Sequence, residues 1–260
     1  MIEIHKDSVK DIPLLHVVKA GNYDKMLPLV FFVHGFTSAK EHNLHFAYLL
    51  AEKGFRVILP EANFHGERNN AVSVEKMTYH FWDIVIQMVA ELDMIKKEYA
   101  IKGFIDVERI GVVGTSMGGI VTLGALGQYK WIKAAVSLMG SPNYEQFSRS
   151  QITHLKEAGV KIPFTDKQLE EKFALLQTYD ISKQPDLVGG RPLLFWHGKK
   201  DPVVPFQPTY EFYENIKNQY KENPANIKFI VDQDAAHKVS REALLKTVSW
   251  FDQHLMKGPK

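Results

Sequence analysis

The chain predicts an α/β fold with a mostly parallel central sheet and helices on both faces, and three observations carry that prediction. Apolar runs of strand length recur along the 260 residues. Several, such as "LPLVFFV" (27–33) and "RIGVVG" (109–114), are continuous rather than alternating, as in strands buried on both faces. Between the runs lie stretches with helical spacing, and alternation of the two types selects a parallel sheet with right-handed crossovers.

In chain order, the predicted strands are 14–20, 27–35, 55–61, 109–114, 132–140, 191–198 and 227–233. The first two, joined by the turn-rich "KAGNYDKM", are expected to pair as an antiparallel edge. The helices are 43–54, stopped by Gly54, then 73–99 with Ser73 as its cap, 206–220 and 241–255. A further helix should begin in "SMGG". About fifty residues between "VSLMGSP" and "GGRPLLFW" hold no clear strand, yet they carry Phe147, Ile152, Leu155, Phe164, Phe173 and Leu176. A structureless loop of that length is disfavoured, so residues 141–190 read as a helical cap inserted in a single domain spanning 1–260. Nothing repeats, and no Pro/Gly/Ser-rich linker divides the chain.

Composition narrows the function. Lys and Arg number 32 against 30 Asp and Glu, for a net charge of +2, so no charge excess points to nucleic acid or an anionic membrane. The absence of cysteine rules out disulfides, thiolate metal sites and a cysteine nucleophile. The opening "MIEIHKDSVK" lacks the apolar centre of a signal peptide, and no apolar run approaches a bilayer span. A cytoplasmic location is the expectation.

The most specific local feature is "GTSMGG" (114–119), a Gly-x-Ser-x-Gly placed between a strand and a helix. A serine there sits on a strained turn with its hydroxyl exposed, and the residues two before and two after must be small. Ser116 is therefore the candidate nucleophile. A serine needs a base, and the base needs an orienting carboxylate. "FIVDQDAAHKVS" places His237 after the last strand, and "LLFWHGKKDPVVP" places Asp201 after the strand before it. All three lie at C-terminal strand ends and can converge. Asp232 and Asp234 remain alternative carboxylates, and Ser141 an alternative serine without flanking small residues. His197 reads as packing at a strand end, and His254 as exposed late in the last helix.

Acyl transfer also needs donors for the developing oxyanion. The Met117 amide, just after the serine, supplies one. The loop "HGFTS" supplies the other from the Phe36 amide, with Thr37 the adjacent alternative.

With these residues in view, "HGFTS", "GTSMGG", "HGKKDPVVP" and "AAH" fall in the order and spacing of the α/β-hydrolase superfamily, which the chain resembles over nearly its whole length. Within it the chain is similar to small bacterial esterases near the prolyl-oligopeptidase and dienelactone-hydrolase branches. The resemblance implies an α/β-hydrolase fold with a modest helical cap and no cofactor. It also implies Ser116 as nucleophile, His237 as general base and acid, and Asp201 as its partner. Dienelactone hydrolases proper use a cysteine, which this chain lacks, so that activity is not implied. The loop "EANFHGERNN" matches the family's post-strand loop with its order altered, and the sequence leaves open whether His65, Glu67 and Arg68 shape the pocket rim or face solvent.

Metal binding by "EHNLH" is disfavoured, because His42 and His45 lack the spacing of a zinc helix. "GTSMGG" is no dinucleotide fingerprint either. The expectation is a serine carboxylesterase acting on a small-molecule ester of short or medium acyl chain, with no metal and no cofactor. Two alternatives stand beside it: a small serine peptidase or aminoacyl hydrolase, and a non-catalytic ligand-binding member of the fold.

Overall fold

The computed structural model describes residues 1–256. Their strands are β1 (Ile2–Val9), β2 (Ile12–Lys19), β3 (Leu27–Val33), β4 (Arg56–Pro60), β5 (Ile105–Thr115), β6 (Ala134–Leu138), β7 (Leu193–Gly198) and β8 (Ile227–Asp232). They form one eight-stranded sheet in the order β1-β2-β4-β3-β5-β6-β7-β8. The pairs from β4 through β8 are parallel, and only β1–β2 and β2–β4 are antiparallel.

The antiparallel edge differs from the expected one. β2 and β3 do not pair; β4 lies between them, and the partner of β2 is β1. β1 escaped the apolar-run reading because it is an edge strand whose Ile4, Lys6 and Ser8 face solvent. The "KAGNYDKM" segment is drawn across the sheet instead of closing a hairpin. The guanidinium of buried Arg56 donates to the carbonyls of Tyr23 and Lys25, both at 2.8 Å, which anchors the segment over β4.

The helices are α1 (Leu44–Glu52), α2 (Val74–Tyr79), α3 (Phe81–Ile101), α4 (Met117–Gln128), α5 (Tyr144–Glu157), α6 (Asp166–Tyr179), α7 (Phe206–Ile216) and α8 (Arg241–Phe251). Ser73 caps α2 as expected, its hydroxyl accepting from the Lys76 amide. The single helix read over 73–99 is broken at His80 into α2 and α3. Residues 141–190 contain α5, α6 and two 3-10 turns, with a Thr165/Gln168 capping box starting α6.

Two cores occupy the two sheet faces. On β3, Leu29, Phe31 and Val33 join α3, α4 and α6 on one side, while Val30 and Phe32 join α1 and α8 on the other. That alternation is the two-residue period of a strand buried on both faces. The C-terminal ends of β3, β5, β7 and β8 therefore share one edge of the sheet. Among the described residues no helix is long and apolar enough to cross a membrane.

Candidate active site

β5 ends at Thr115, α4 begins at Met117, and Ser116 makes the turn between them with φ +55° and ψ −116°. A non-glycine residue in this region is uncommon and needs support from its surroundings. The flanking glycines show why the turn can be so tight. A Cβ on Gly114 would lie 2.3 Å from the backbone of Gly118, and one on Gly118 would lie 2.0 Å from the Val33 carbonyl oxygen. The Ser116 amide is itself tied to the Leu138 carbonyl at 2.8 Å. The serine points from the positive end of α4 toward the edge where the other strands finish.

The structure brings the three expected side chains together. His237 Nε2 lies 2.8 Å from Ser116 Oγ, and His237 Nδ1 lies 2.7 Å from Asp201 Oδ2. The carboxylate accepts a hydrogen bond from Nδ1–H, which leaves the Nε2 lone pair facing the serine hydroxyl. Asp201 Oδ1 accepts from the Val203 and Val204 amides at 2.8 and 3.0 Å. Burial pushes the Asp201 carboxyl up, but its contacts with His197, His237 and those amides outweigh burial and hold it well below the usual carboxylate range.

Two loops must meet for this contact to form, and Gly198 permits it. A Cβ there would sit 2.4 Å from the Ala235 carbonyl oxygen. The Lys199 and Lys200 amides donate to the carbonyls of Asp232 and Ala235 at 2.8 and 3.1 Å, stitching the loop after β7 to the loop after β8.

The alternatives fall elsewhere. Asp232 Oδ1 accepts from the Asp234 and Ala235 amides within its own loop, and Asp234 pairs with Lys200. Ser141 is buried beside the Asn143 amide. His197 does more than pack: its Nε2 lies 3.0 Å from the Val204 carbonyl oxygen and 3.4 Å from Asp201 Oδ2. His254, expected to be exposed, is half-buried against Trp250 with ring centroids 4.3 Å apart.

The loop after β3 runs beside the serine, since a Cβ on Gly35 would lie 3.4 Å from the Thr115 carbonyl oxygen and 3.6 Å from Ser116 Cβ. Of the two amides considered as its oxyanion donor, that of Thr37 is engaged with His65 Nε2 at 3.0 Å. The Phe36 amide has no acceptor among the described residues. The Met117 amide opens α4, a position whose N–H has no partner within the helix.

A mostly apolar cavity of about 300 Å³ opens onto Ser116. Phe36 and Val204 line it from the body, Phe147 and Phe173 from α5 and α6, and Phe81 and Trp82 from the start of α3. The last two were not foreseen; only the aromatic pair at the head of an otherwise ordinary amphipathic helix could have flagged them. Side chains tie these walls together. Trp82 Nε1 donates to Gln151 Oε1 at 2.8 Å, and Lys172 Nζ to Asp83 Oδ1 at 2.6 Å. The "EANFHGERNN" loop does not line this cavity, and its three candidate residues part ways: His65 is 2% exposed, Arg68 forms a two-pronged contact with Glu91 of α3, and Glu67 faces solvent.

A strained serine after a strand, a histidine and carboxylate from the last two strand ends, and helices on both sheet faces define an α/β hydrolase. The chain belongs to the prolyl oligopeptidase family, whose model matches residues 42–258, and it is a serine hydrolase. It is 52% identical over 255 residues to "Putative esterase YitV" of Bacillus subtilis, covering 98% of this chain and 100% of that one. It is 31% identical to "Esterase YjfP" of Escherichia coli, covering 98% and 100%. Among solved structures, TT1662 from Thermus thermophilus superposes with a TM-score of 0.72 at 19% identity, covering both chains fully, a likeness of fold alone.

Proposed function

We propose that the chain is a serine carboxylesterase acting on short- to medium-chain esters through an acyl-enzyme. One observation carries the reading: Ser116 Oγ stands 2.8 Å from an Nε2 whose ring is held by a buried carboxylate, and it faces an apolar cavity. The esterase names of relatives matched over their full lengths support an ester ahead of an amide.

His237 Nε2 takes the hydroxyl proton as Ser116 Oγ attacks the ester carbonyl carbon. The carbonyl π pair moves to oxygen, and that oxyanion is stabilised by the Phe36 and Met117 amides. As the pair returns, the carbon–oxygen bond to the alcohol breaks, and His237 delivers its proton to the leaving alkoxide. Water then attacks the acyl-serine, giving its proton to His237, and the second collapse releases the acid and returns the proton to Ser116. Asp201 stays ionised throughout and stabilises the imidazolium.

In this proposal residues 1–260 are one domain, the 141–190 segment is the cap, and its aromatic wall receives the acyl chain. The cytoplasmic location expected from the sequence belongs to the same proposal and is checked by cell fractionation.

The test is hydrolysis of p-nitrophenyl esters from acetate to dodecanoate by wild type and Ser116→Ala. Loss of a serine nucleophile costs on the order of 10⁶ in kcat. Turnover by wild type and background rates from the variant are expected. A wild type inert on every ester but active on anilides would replace the esterase with a peptidase, and an undiminished Ser116→Ala would remove Ser116 as nucleophile.

A further inference from the structure

Behind the loop that carries the Phe36 amide lies a buried cluster of charge. Glu61, just past β4, and Lys40, just ahead of α1, have side chains 0% and 1% exposed. Glu61 Oε2 accepts from Lys40 Nζ at 2.7 Å, and Oε1 accepts from the Lys40 backbone amide at 3.2 Å. The same ammonium reaches Glu67 Oε1 at 2.7 Å. Gly66 leaves room for the carboxylate, since a Cβ there would fall 2.0 Å from Glu61 Oε2. Burial pushes the Glu61 carboxyl up, yet its contacts with His34 and Lys40 hold it at about 2, so it is charged at neutral pH.

Two histidines join this cluster to the loop. His34 Nδ1 donates to the Gly35 carbonyl at 2.8 Å, and its Nε2 lies 3.1 Å from the Ala62 amide nitrogen and 3.2 Å from Glu61 Oε1. His65 Nδ1 donates to the Asn63 carbonyl at 2.8 Å, and its Nε2 accepts from the Thr37 amide at 3.0 Å. A carbonyl only accepts and an amide only donates, so the His65 ring is set as the Nδ1–H tautomer.

Thr37 itself is strained. The loop closes a turn from the Ser38 amide to the Gly35 carbonyl at 3.2 Å, and Thr37 occupies it with φ +60°. Turns with a left-handed third residue favour glycine, and a β-branched residue there is an outlier. Such strain persists only where the surroundings over-determine it, and it gathers at functional sites.

We propose that Glu61, Lys40 and His65 are positioning residues for the oxyanion hole. They hold the Thr37 amide turned into the protein on His65, which leaves the neighbouring Phe36 amide presented to the substrate oxygen beside Ser116. Glu61 acts through Lys40, whose backbone and ammonium it grips together, and through the 61–67 loop that seats His65. This inference rests on the reading of Phe36 as an oxyanion donor.

The experiment compares Glu61→Gln, His65→Asn and His65→Gln with wild type in the full chain, using p-nitrophenyl butyrate. A trifluoromethyl ketone, whose adduct with Ser116 carries an oxyanion, serves as inhibitor. The glutamine at 65 is long enough to accept from the Thr37 amide, and the asparagine is not. Misplacing a catalytic group by about 1 Å can cost about 10²-fold. Glu61→Gln and His65→Asn are therefore expected to lower kcat by about 10- to 100-fold with KM within about threefold. Ketone affinity should weaken by the same factor as kcat/KM, and His65→Gln should recover most of the loss.

Wild-type kcat in the folded variants, a loss confined to KM, or ketone affinity that does not follow kcat/KM would each overturn the clamp. So would loss of the far-ultraviolet dichroism of all three variants, which would make the cluster purely structural. Ser116→Ala, assayed alongside, separates the two readings. If it keeps activity, the serine assignment fails. If it is inactive while the other three match wild type, only the clamp fails.

Discussion

The two walls that meet over Ser116 are built by different means. The body wall consists of loops at strand ends, packed so closely that Gly114, Gly118 and Gly198 admit no Cβ, and its buried charges are paired. The cap wall, from α5, α6 and the head of α3, is aromatic, and two side-chain hydrogen bonds, Trp82 to Gln151 and Lys172 to Asp83, help tie it together. Backbone contacts tolerate almost no change of side chain, whereas an apolar wall accepts many side chains of similar volume. The body wall is thus suited to fixed chemistry and the cap wall to variable selectivity.

Four substitutions test that contrast. The largest effect is expected at Asp201→Asn. The amide no longer enforces the Nδ1–H tautomer of His237, and the equivalent change in a serine protease drops kcat by about 10⁴. Steady-state kinetics with an unchanged thermal midpoint would place the loss in catalysis, and a loss under tenfold would break the body-wall argument.

Glu61→Gln comes next, in stability. Removing one partner of a buried ion pair costs about 3 kcal/mol or more, read from urea denaturation at pH 7. The sign of its pH dependence is set by a folded-state carboxyl held at about 2, below the ordinary value of 4.5. A depressed carboxyl contributes stability that is complete above about 4.5 and lost as the pH falls toward about 2. Wild type should therefore lose more stability than Glu61→Gln between pH 6 and pH 3. Equal losses would show that Glu61 carries no such coupling.

On the cap wall, Phe147→Ala should leave acetate turnover within about threefold and move the optimum toward longer acyl chains. Each methylene accommodated is worth about 1–3 kcal/mol in kcat/KM. An unmoved chain-length profile would detach α5 from selectivity. The smallest effect is expected for Trp82→Phe, which keeps the ring but loses the hydrogen bond to Gln151. About 1 kcal/mol of stability should go with it, visible as a small fall in thermal midpoint.

How far the site could be read in advance varied with the kind of constraint. Ser116 was legible because a sharp turn demands small residues at fixed offsets, and Gly114 and Gly118 stand at those offsets. Asp201 and His237 were legible because each follows a recognisable strand, although Asp232 and Asp234 were consistent with the same pattern. The Glu61–Lys40 pair was not legible, because charged residues in a loop ordinarily face solvent. The sequence put Phe36 ahead of Thr37 as the donor, but the reason the Thr37 amide is engaged elsewhere, its bond to His65, lies 28 residues away and leaves no local mark. Phe81 and Trp82 were hidden for a related reason: their spacing fits an amphipathic helix, and nothing local announces that α3 begins at the mouth of a cavity.

What the chain's own pattern settled was therefore local. Apolar runs specified seven of the strands, glycines specified the serine turn, and the order of motifs specified the α/β-hydrolase class. The tertiary structure decided the strand order at the β1–β2 edge, the carboxylate that meets His237, the amide left free beside Ser116, and the wall that faces it. Periodicity and turn chemistry act over a few residues and leave their mark in sequence. Pairing across a sheet and burial of charge depend on contacts between distant segments, and only the folded chain brings those segments together.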